Sequence, residues 1–381
     1  MREIVSSKSS LAALLIGVAL AFAVLNSLFA PGKTNFEASA TLGTEAKPVF
    51  SSVEEFPIHC SGGLDIDKCL GGLKSRGAIK SALWLGNSQV HEVNNWKSGE
   101  VSAPALLFEG LTKNGLDLLT FSFGNANLQE HYVLFEYLRS RMPLKLLILP
   151  VVFDDTREEG MRSDIANLVD DAQTARSLSN TEIGKRLVTS IQTGANRDIV
   201  STDNNVAGNT DTLQQRSETK LNGWLEENSR LWQLRPEIRG WLLIELYKWR
   251  NYVFGITPAT TRKVIPGRYR DNLSAFEAIL ERAKSEGIRV VVYVAPLRGG
   301  VKIPYDSSEY LAFKAEAATL ANRYGAVFEN LEQIVPNDFW GTKASTSISQ
   351  EQELDFMHFR FSGHEVLANI LRKLAIKALA D

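Results

Sequence analysis

From residue 78 onward, short apolar runs alternate with stretches of helical spacing, and this alternation limits the fold more than any other feature of the chain. Runs rich in β-formers occupy residues 81–85, 118–123, 144–152, 288–295 and 326–328. Helical spacing covers 103–114, 129–140, 273–287 and 309–325, with Gly287 and Gly325 where helix C-caps are expected, just ahead of the next strand. Strands alternating with helices through short loops predict a parallel sheet covered on both faces. Five such strands predict a flavodoxin-like three-layer α/β sandwich.

The spacing breaks once. Residues 153–287 separate the third and fourth predicted strands, far more than a single crossover needs. Residues 157–220 are polar and rich in Asn, Asp and Thr, whereas 222–256 turn aromatic and amphipathic. This pattern predicts a helical insertion over about 157–265, beside the sheet and within the same domain. No internal repeat is evident.

The N-terminus reads differently. Residues 11–30 carry no charge for twenty positions, about the length that crosses a ~30 Å hydrocarbon core. Arg2 and Lys8 precede this stretch and favour a cytoplasmic N-terminus. A cleavable signal peptide shares these traits, but the stretch is long and no clean A-x-A site follows. The expectation is a single-pass signal-anchor over residues 1–30 in the cytoplasmic membrane, with the C-terminal domain in the periplasm or outside the cell. Residues 31–57, rich in Ser, Thr, Ala, Pro and Gly, read as a tether, and 58–381 as the folded domain.

Cys60 and Cys69 are the only cysteines, and in an oxidising compartment they are expected to pair as a disulfide. With His59 they fall one ligand short of a tetrahedral metal site. No metal spacing and no cofactor motif stand out elsewhere. The formal charge of −2 and the absence of a long basic run give no electrostatic case for nucleic acid.

Ligands of open α/β sheets bind beyond the C-terminal strand ends, so reactive residues there carry the functional reading. The first predicted strand ends in Gly86-Asn87-Ser88, the second in Gly124-Asn125-Ala126-Asn127, and the third in Phe153-Asp154-Asp155. Near the C-terminus, Asp355 and His358 are separated by two residues on an expected loop, before a helix that Ser362 and Glu365 would open as a capping box. A serine hydroxyl needs a histidine to take its proton, and the histidine needs a carboxylate to hold its tautomer. Ser88, His358 and Asp355 are the candidates for these roles. The backbone N–H groups of Ser88 and Gly124 are candidate oxyanion donors, with Asn125 or Asn127 as side-chain help. Each signal alone is common, and a serine at a strand end usually caps a helix. His59, His91, His131 and His364 have no comparable acidic partner in sequence, and surface positions are expected for His91 and His364.

Taken together, Gly86-Asn87-Ser88, Gly124 and Asp355-x-x-His358 resemble the SGNH (GDSL-like) hydrolase superfamily over residues 80–375. The resemblance implies Ser88 as nucleophile, Gly124 as oxyanion donor, and Asp355 and His358 as the remaining catalytic pair. Asn87 departs from the usual Asp of the first block. Residues 151–155 lack the Asn that the third block normally adds to the oxyanion hole, so the side chains of Asp154 and Asp155 are expected to point elsewhere.

The anchor, the exported domain and the missing Asn are similar to proteins that modify cell-surface polymers, such as the D-alanyl transfer protein of teichoic acids and alginate O-acetylation proteins. That similarity implies acyl transfer to, or removal from, a cell-surface or secreted polysaccharide, beside a membrane-bound O-acyltransferase partner. The competing reading is a non-catalytic scaffold that binds glycan. Trp224, Trp232, Trp241 and Trp249 in the insertion would line a sugar site, Trp249 being the candidate substrate contact, or else build the insertion's own core or contact a membrane partner.

Overall fold

The computed structural model describes residues 45–193, 246, 249–250, 253–254, 260–343 and 353–380. The chain divides into two units, one of residues 43–200 and 256–381, the other of 1–42 and 201–255. The apolar segment 11–30 and Trp224, Trp232 and Trp241 lie outside the described residues. Among the described residues, no helix is long and apolar enough to cross a membrane.

The larger unit is an α/β sandwich. Its strands in chain order are β1 (Ala46–Pro48), β2 (Ser52–Val53), β3 (Phe56–Pro57), β4 (His59–Cys60), β5 (Ser81–Asn87), β6 (Glu92–Asn94), β7 (Asp117–Phe123), β8 (Leu144–Val151), β9 (Arg289–Val294), β10 (Val327–Asn330), β11 (Trp340–Lys343) and β12 (Glu353–Phe359). Its helices are α1 (Ile66–Ser75), α2 (Ser88–His91), α3 (Ala103–Thr112), α4 (Leu128–Arg139), α5 (Ser163–Ala166), α6 (Ala172–Leu178), α7 (Glu182–Gln192), α8 (Pro266–Ser285), α9 (Ser307–Arg323) and α10 (Phe361–Ala380).

Six strands form one parallel sheet in the order β10-β9-β8-β5-β7-β4. All five expected strands are present, and the sixth, β4, joins the edge beside β7. Two residues carry no alternation, so composition could not reveal it. The other five run β7-β5-β8-β9-β10, the 2-1-3-4-5 order of flavodoxin-like sheets. Chain direction across the sheet reverses at β5, which places a binding crevice at that strand's C-terminal end.

Burial on both faces explains the continuous apolar runs. Ala82 and Trp84 of β5, with Leu118, Ile148 and Tyr293, meet α3 and α10 through Leu107, Leu111, Leu367 and Leu371. Leu83 and Leu85, with Phe121, Leu147 and Val292, face α4, α8 and α9 through Leu134, Phe276 and Phe313. The indole N–H of buried Trp84 donates to the Tyr293 hydroxyl at 3.2 Å, so its polar atom is paired. Gly287 and Gly325 adopt φ of 67° and 74° after α8 and α9, as C-cap glycines do.

Two expectations about chain organisation change. Residues 46–57, expected in the tether, belong to the folded unit: β1 pairs antiparallel with β6, Ala46 opposite Asn94, and β2 and β3 make a small hairpin. Such short strands, rich in Ser and Pro, resemble a linker until their partner segment is known. The insertion is also divided. Residues 154–193 fold into short helices whose Ile165, Leu178, Ile183, Leu187 and Ile191 join the main sheet's core, whereas 201–255 belong to the other unit. The disulfide forms as expected, linking Cys60 of β4 to Cys69 of α1.

Candidate active site

The site begins with how β5 ends. Asn87 is the last residue of β5 and the N-cap of α2, and its Oδ1 accepts the Gln89 N–H at 3.1 Å. A Cβ on Gly86 would lie 2.5 Å from Val90 Cγ2, so the turn closes tightly only over glycine. Asn87 pairs in register with Phe123 of β7. The next residues, Ser88 and Gly124, therefore leave neighbouring strands side by side, about 4.8 Å being the usual strand spacing.

Asp355 and His358 lie within β12 rather than on a loop, as the sequence suggests, but their strand is deformed. Trp340 pairs with Phe359 while Thr342 pairs with Leu354, so five residue steps on β12 match two on β11. The surplus arches out of the ladder as a bulge, the device that re-aims side chains near sites. Asp355 Oδ1 accepts the backbone N–H groups of Met357 at 2.8 Å and His358 at 3.0 Å, which shapes the arch. Its Oδ2 faces His358 Nδ1 at 3.1 Å and accepts Asn94 Nδ2 at 3.2 Å. Helix α10 starts at Phe361, one residue ahead of the expected capping serine, Ser362.

The arch meets the end of β5. Ser88 Oγ lies 3.0 Å from His358 Nε2, although 270 positions separate them in sequence. Ser88 and His358 are both partly exposed, the His358 side chain 17%, while Asp355 is buried. Burial pushes the Asp355 carboxyl up, and the charge and hydrogen bonds of His358 outweigh it and hold it below the ordinary value. Burial alone would lower His358. The carboxylates of Glu92 and then Asp355 outweigh burial and raise it to about 9.

Three supporting residues carried no signal in the sequence. Gln89 Nε2 donates to Pro296 O at 2.8 Å and Met357 O at 2.7 Å, tying α2 to the arch and to the loop after β9. Arg298 Nη1 donates to Gly341 O at 2.7 Å and its backbone N–H to Phe356 O at 3.1 Å, bracing the arch from outside. Glu92, the first residue of β6, brings its Oε2 to 3.2 Å from His358 Nε2. A Gln and an Arg without a motif, and a Glu four positions after a serine, are indistinguishable in sequence from surface residues.

The remaining candidates separate. Gly124 O accepts from Arg162, a contact shared with the Arg162–Glu130 ion pair. Asn125 follows with φ 52° and is exposed at the strand ends. Asn127 is engaged elsewhere: it caps α4 in a reciprocal box with Glu130 and donates to Gly160 O at 2.9 Å, and it is 2% exposed. Its amide is consumed by structure, so it is withdrawn as a substrate contact. Trp249 is exposed and belongs to the other unit.

Asp154 and Asp155 are both engaged by other side chains. Asn87 Nδ2 donates to both Asp155 oxygens at 3.1 Å, and Asp154 is held by Arg262 and by Tyr305 at 3.0 Å. The histidines expected at the surface are buried. His91 is 5% exposed with Nδ1 2.8 Å from Ser122 Oγ, and His364 is fully buried between Glu92 O and Ala103 N. His59 joins His91 on Ser122 at 2.6 Å, and Phe50 packs against both rings. His91 lies on the buried side of α2 with Val90, and His364 on the buried face of α10 with Leu367 and Leu371. A cleft of about 340 Å³ lined by Gly287, Arg289 and Tyr324 lies at the opposite end of the sheet and holds none of these residues.

No protein-family profile matches this chain, and no curated protein does. Solved structures do match. One is a crystal structure of a Bacteroides fragilis protein named as a "putative acylhydrolase", 11% identical, with a TM-score of 0.33 over 78% of this chain and 88% of that one.

Proposed function

We propose that this chain is a serine esterase or O-acyltransferase of the SGNH type. The observation that carries the reading is the linear set Ser88 Oγ, His358 Nε2, His358 Nδ1 and Asp355 Oδ2, with contacts of 3.0 Å and 3.1 Å. Nδ1–H donated to Asp355 leaves Nε2 as the acceptor for the serine proton. Ser88 Oγ then attacks an acyl carbonyl, the Oγ–H proton passes to Nε2, and His358 returns it to the departing oxygen. The acyl-serine is released to water in an esterase, or to a sugar hydroxyl in a transferase. The backbone N–H groups of Ser88 and Gly124, side by side at the strand ends, are the proposed oxyanion donors.

The pairing of Asn87 with Asp155 bears on the departures noted in the sequence. An amide at 87 and a carboxylate at 155 exchange the side chains that the SGNH blocks usually carry there. The pair keeps a hydrogen bond between the first and third strand ends while taking Asp155 out of the oxyanion site. We propose a polysaccharide acyl ester or hydroxyl as substrate. Anchoring through residues 11–30, export of the domain and a membrane-bound O-acyltransferase partner follow from the same reading.

A fluorophosphonate probe tests it. Wild type should be labelled and Ser88→Ala should not. Asp355→Asn should slow labelling by about 10²–10⁴-fold while leaving the fold intact. Folded wild type that resists the probe at every pH would remove the nucleophile assignment. Polymer acylation that survives Ser88→Ala would instead favour the scaffold reading.

A further inference from the structure

His358 Nε2 faces two groups at once. Ser88 Oγ stands 3.0 Å away and Glu92 Oε2 3.2 Å. The short helix α2 that presents Ser88 also returns the chain to Glu92, so both arrive from one turn. The Glu92 side chain is 1% exposed, and neither carboxyl oxygen receives a hydrogen bond among the described residues. A carboxylate removed from water without a donor is strongly unfavourable, as any buried unpaired charge is. The nearest group able to relieve it is an N–H on His358 Nε2.

A general base needs that same nitrogen bare. With Nδ1–H held by Asp355, a proton on Nε2 makes the ring an imidazolium between two carboxylates and blocks transfer from Ser88. Among the charged and titratable groups facing the ring, Glu92 on β6 and Asp355 on β12 favour this form. Lys343 on β11 opposes it. His91 and His364 are pushed down by burial to about 3, and both stay neutral beside it. Burial also raises Glu92, against the pull of His358, so the buried pair retains a proton to higher pH than an exposed pair would.

We propose that Glu92 is a positioning residue that holds the resting site in a locked form, with Nε2–H of His358 directed at its carboxylate, so that Ser88 becomes a nucleophile only after that proton leaves. The proposal rests on the reading of Ser88 above. Unlocking sends the Nε2 proton to solvent. Attack then breaks Ser88 Oγ–H and forms the Oγ–acyl bond, and the serine proton occupies Nε2. Glu92 and Asp355 together stabilise the imidazolium until the leaving oxygen takes that proton.

Two readouts decide it. Labelling of wild type by a fluorophosphonate should climb with pH toward a midpoint near that of His358, about 9. Glu92→Gln keeps the shape and removes the charge. It should lower the midpoint by about one pH unit or more and raise labelling at neutral pH, taken as a share of the variant's own alkaline plateau, roughly tenfold, a unit being a factor of ten in the bare-ring fraction. Glu92→Asp should restore much of the alkaline midpoint, which a purely structural role would not require. Imidazole ¹⁵N shifts of His358 should report the same displacement without reference to activity.

An unchanged midpoint and unchanged His358 titration in Glu92→Gln would overturn the proposal. So would a wild-type His358 that titrates at or below the ordinary value of about 6.5, a result that needs no variant to fold. Folded wild type that is never labelled defeats the serine reading alone, since the ¹⁵N titration still tests the lock.

Discussion

Gly341 stands so close to Asn94 that a Cβ on it would fall 1.8 Å from Asn94 Oδ1. Asn94 is fully buried and donates Nδ2 to Thr342 O at 2.9 Å and Asp355 Oδ2 at 3.2 Å. A missing side chain on β11 thus makes room for the amide that steadies the acid of the candidate triad. Gly341→Ala should push Asn94 aside, costing about 1–3 kcal/mol as overpacking does. Probe labelling at Ser88 should fall with it. Denaturant unfolding and labelling rate measured on one sample check both, and an unchanged labelling rate would show that Asn94 does not support Asp355.

Asn87 donates to both oxygens of Asp155, a carboxyl that burial pushes well above its usual range. Asn87→Asp would replace a donor by a second carboxyl. One of the pair must then hold a proton, so its folded pKa lies above the unfolded value of about 3.9. The stabilising proton is present below that value and is lost as pH rises. Unfolding titrations should therefore show the variant destabilised by roughly 1–3 kcal/mol at neutral pH. The deficit should shrink on acidification, and a pH-independent deficit would contradict the shared-proton account.

The disulfide links a two-residue edge strand to α1, and β4 is otherwise held by its pairing with Thr120 and Phe121 and by the His59 contacts with Ser122 and Ser51 O. Replacing Cys60 and Cys69 by serine should lower stability by about 2–4 kcal/mol. His59 sits beside Cys60 and bonds Ser122, so exchange of amides around β4 should quicken more than exchange in β5 and β8. Hydrogen exchange resolves the two, and uniform quickening would deny a local role.

Acid should open the fold through its buried histidines. Burial is the leading cause in each case: His91 and His364 are pushed down to about 3, His131 to about 4, and His59 well below its ordinary value. The unfolded chain takes up these protons near pH 6.5, about the ordinary histidine value. Their depressed folded values mean that this stabilising contribution is present above pH ~6.5 and is lost as pH falls toward the folded values. Stability measured between about pH 6.5 and 4 should decline with a proton dependence that falls by close to one in His131→Gln. No change in that dependence would mean His131 is not neutral in the fold.

The catalytic proposal was legible in unequal parts. Gly86-Asn87-Ser88 and Asp355-x-x-His358 are local patterns, set by a tight turn and by a side chain reaching its own backbone two and three residues on. Local patterns of this kind survive in a linear text. Gln89, Glu92, Asn94 and Arg298 do not, because each acts on a residue whose neighbourhood is created only when α2, β6 and β12 come together. The histidines show the same limit, since His91 and His364 read as surface positions and lie in the interior.

By itself the sequence determined the sandwich, because strand-length apolar runs and helical spacing are imposed by backbone geometry at each element, and four apolar strands buried on both faces beside an edge strand leave few other arrangements. It also determined the cysteine pairing, there being two cysteines and no more. The tertiary structure alone decided the sixth strand, the early entry of residues 46–60 into the fold, and the second carboxylate on His358. Those features depend on contacts between segments far apart in the chain, where the free energy comes from excluding water around a meeting of elements and leaves no periodic mark on either one.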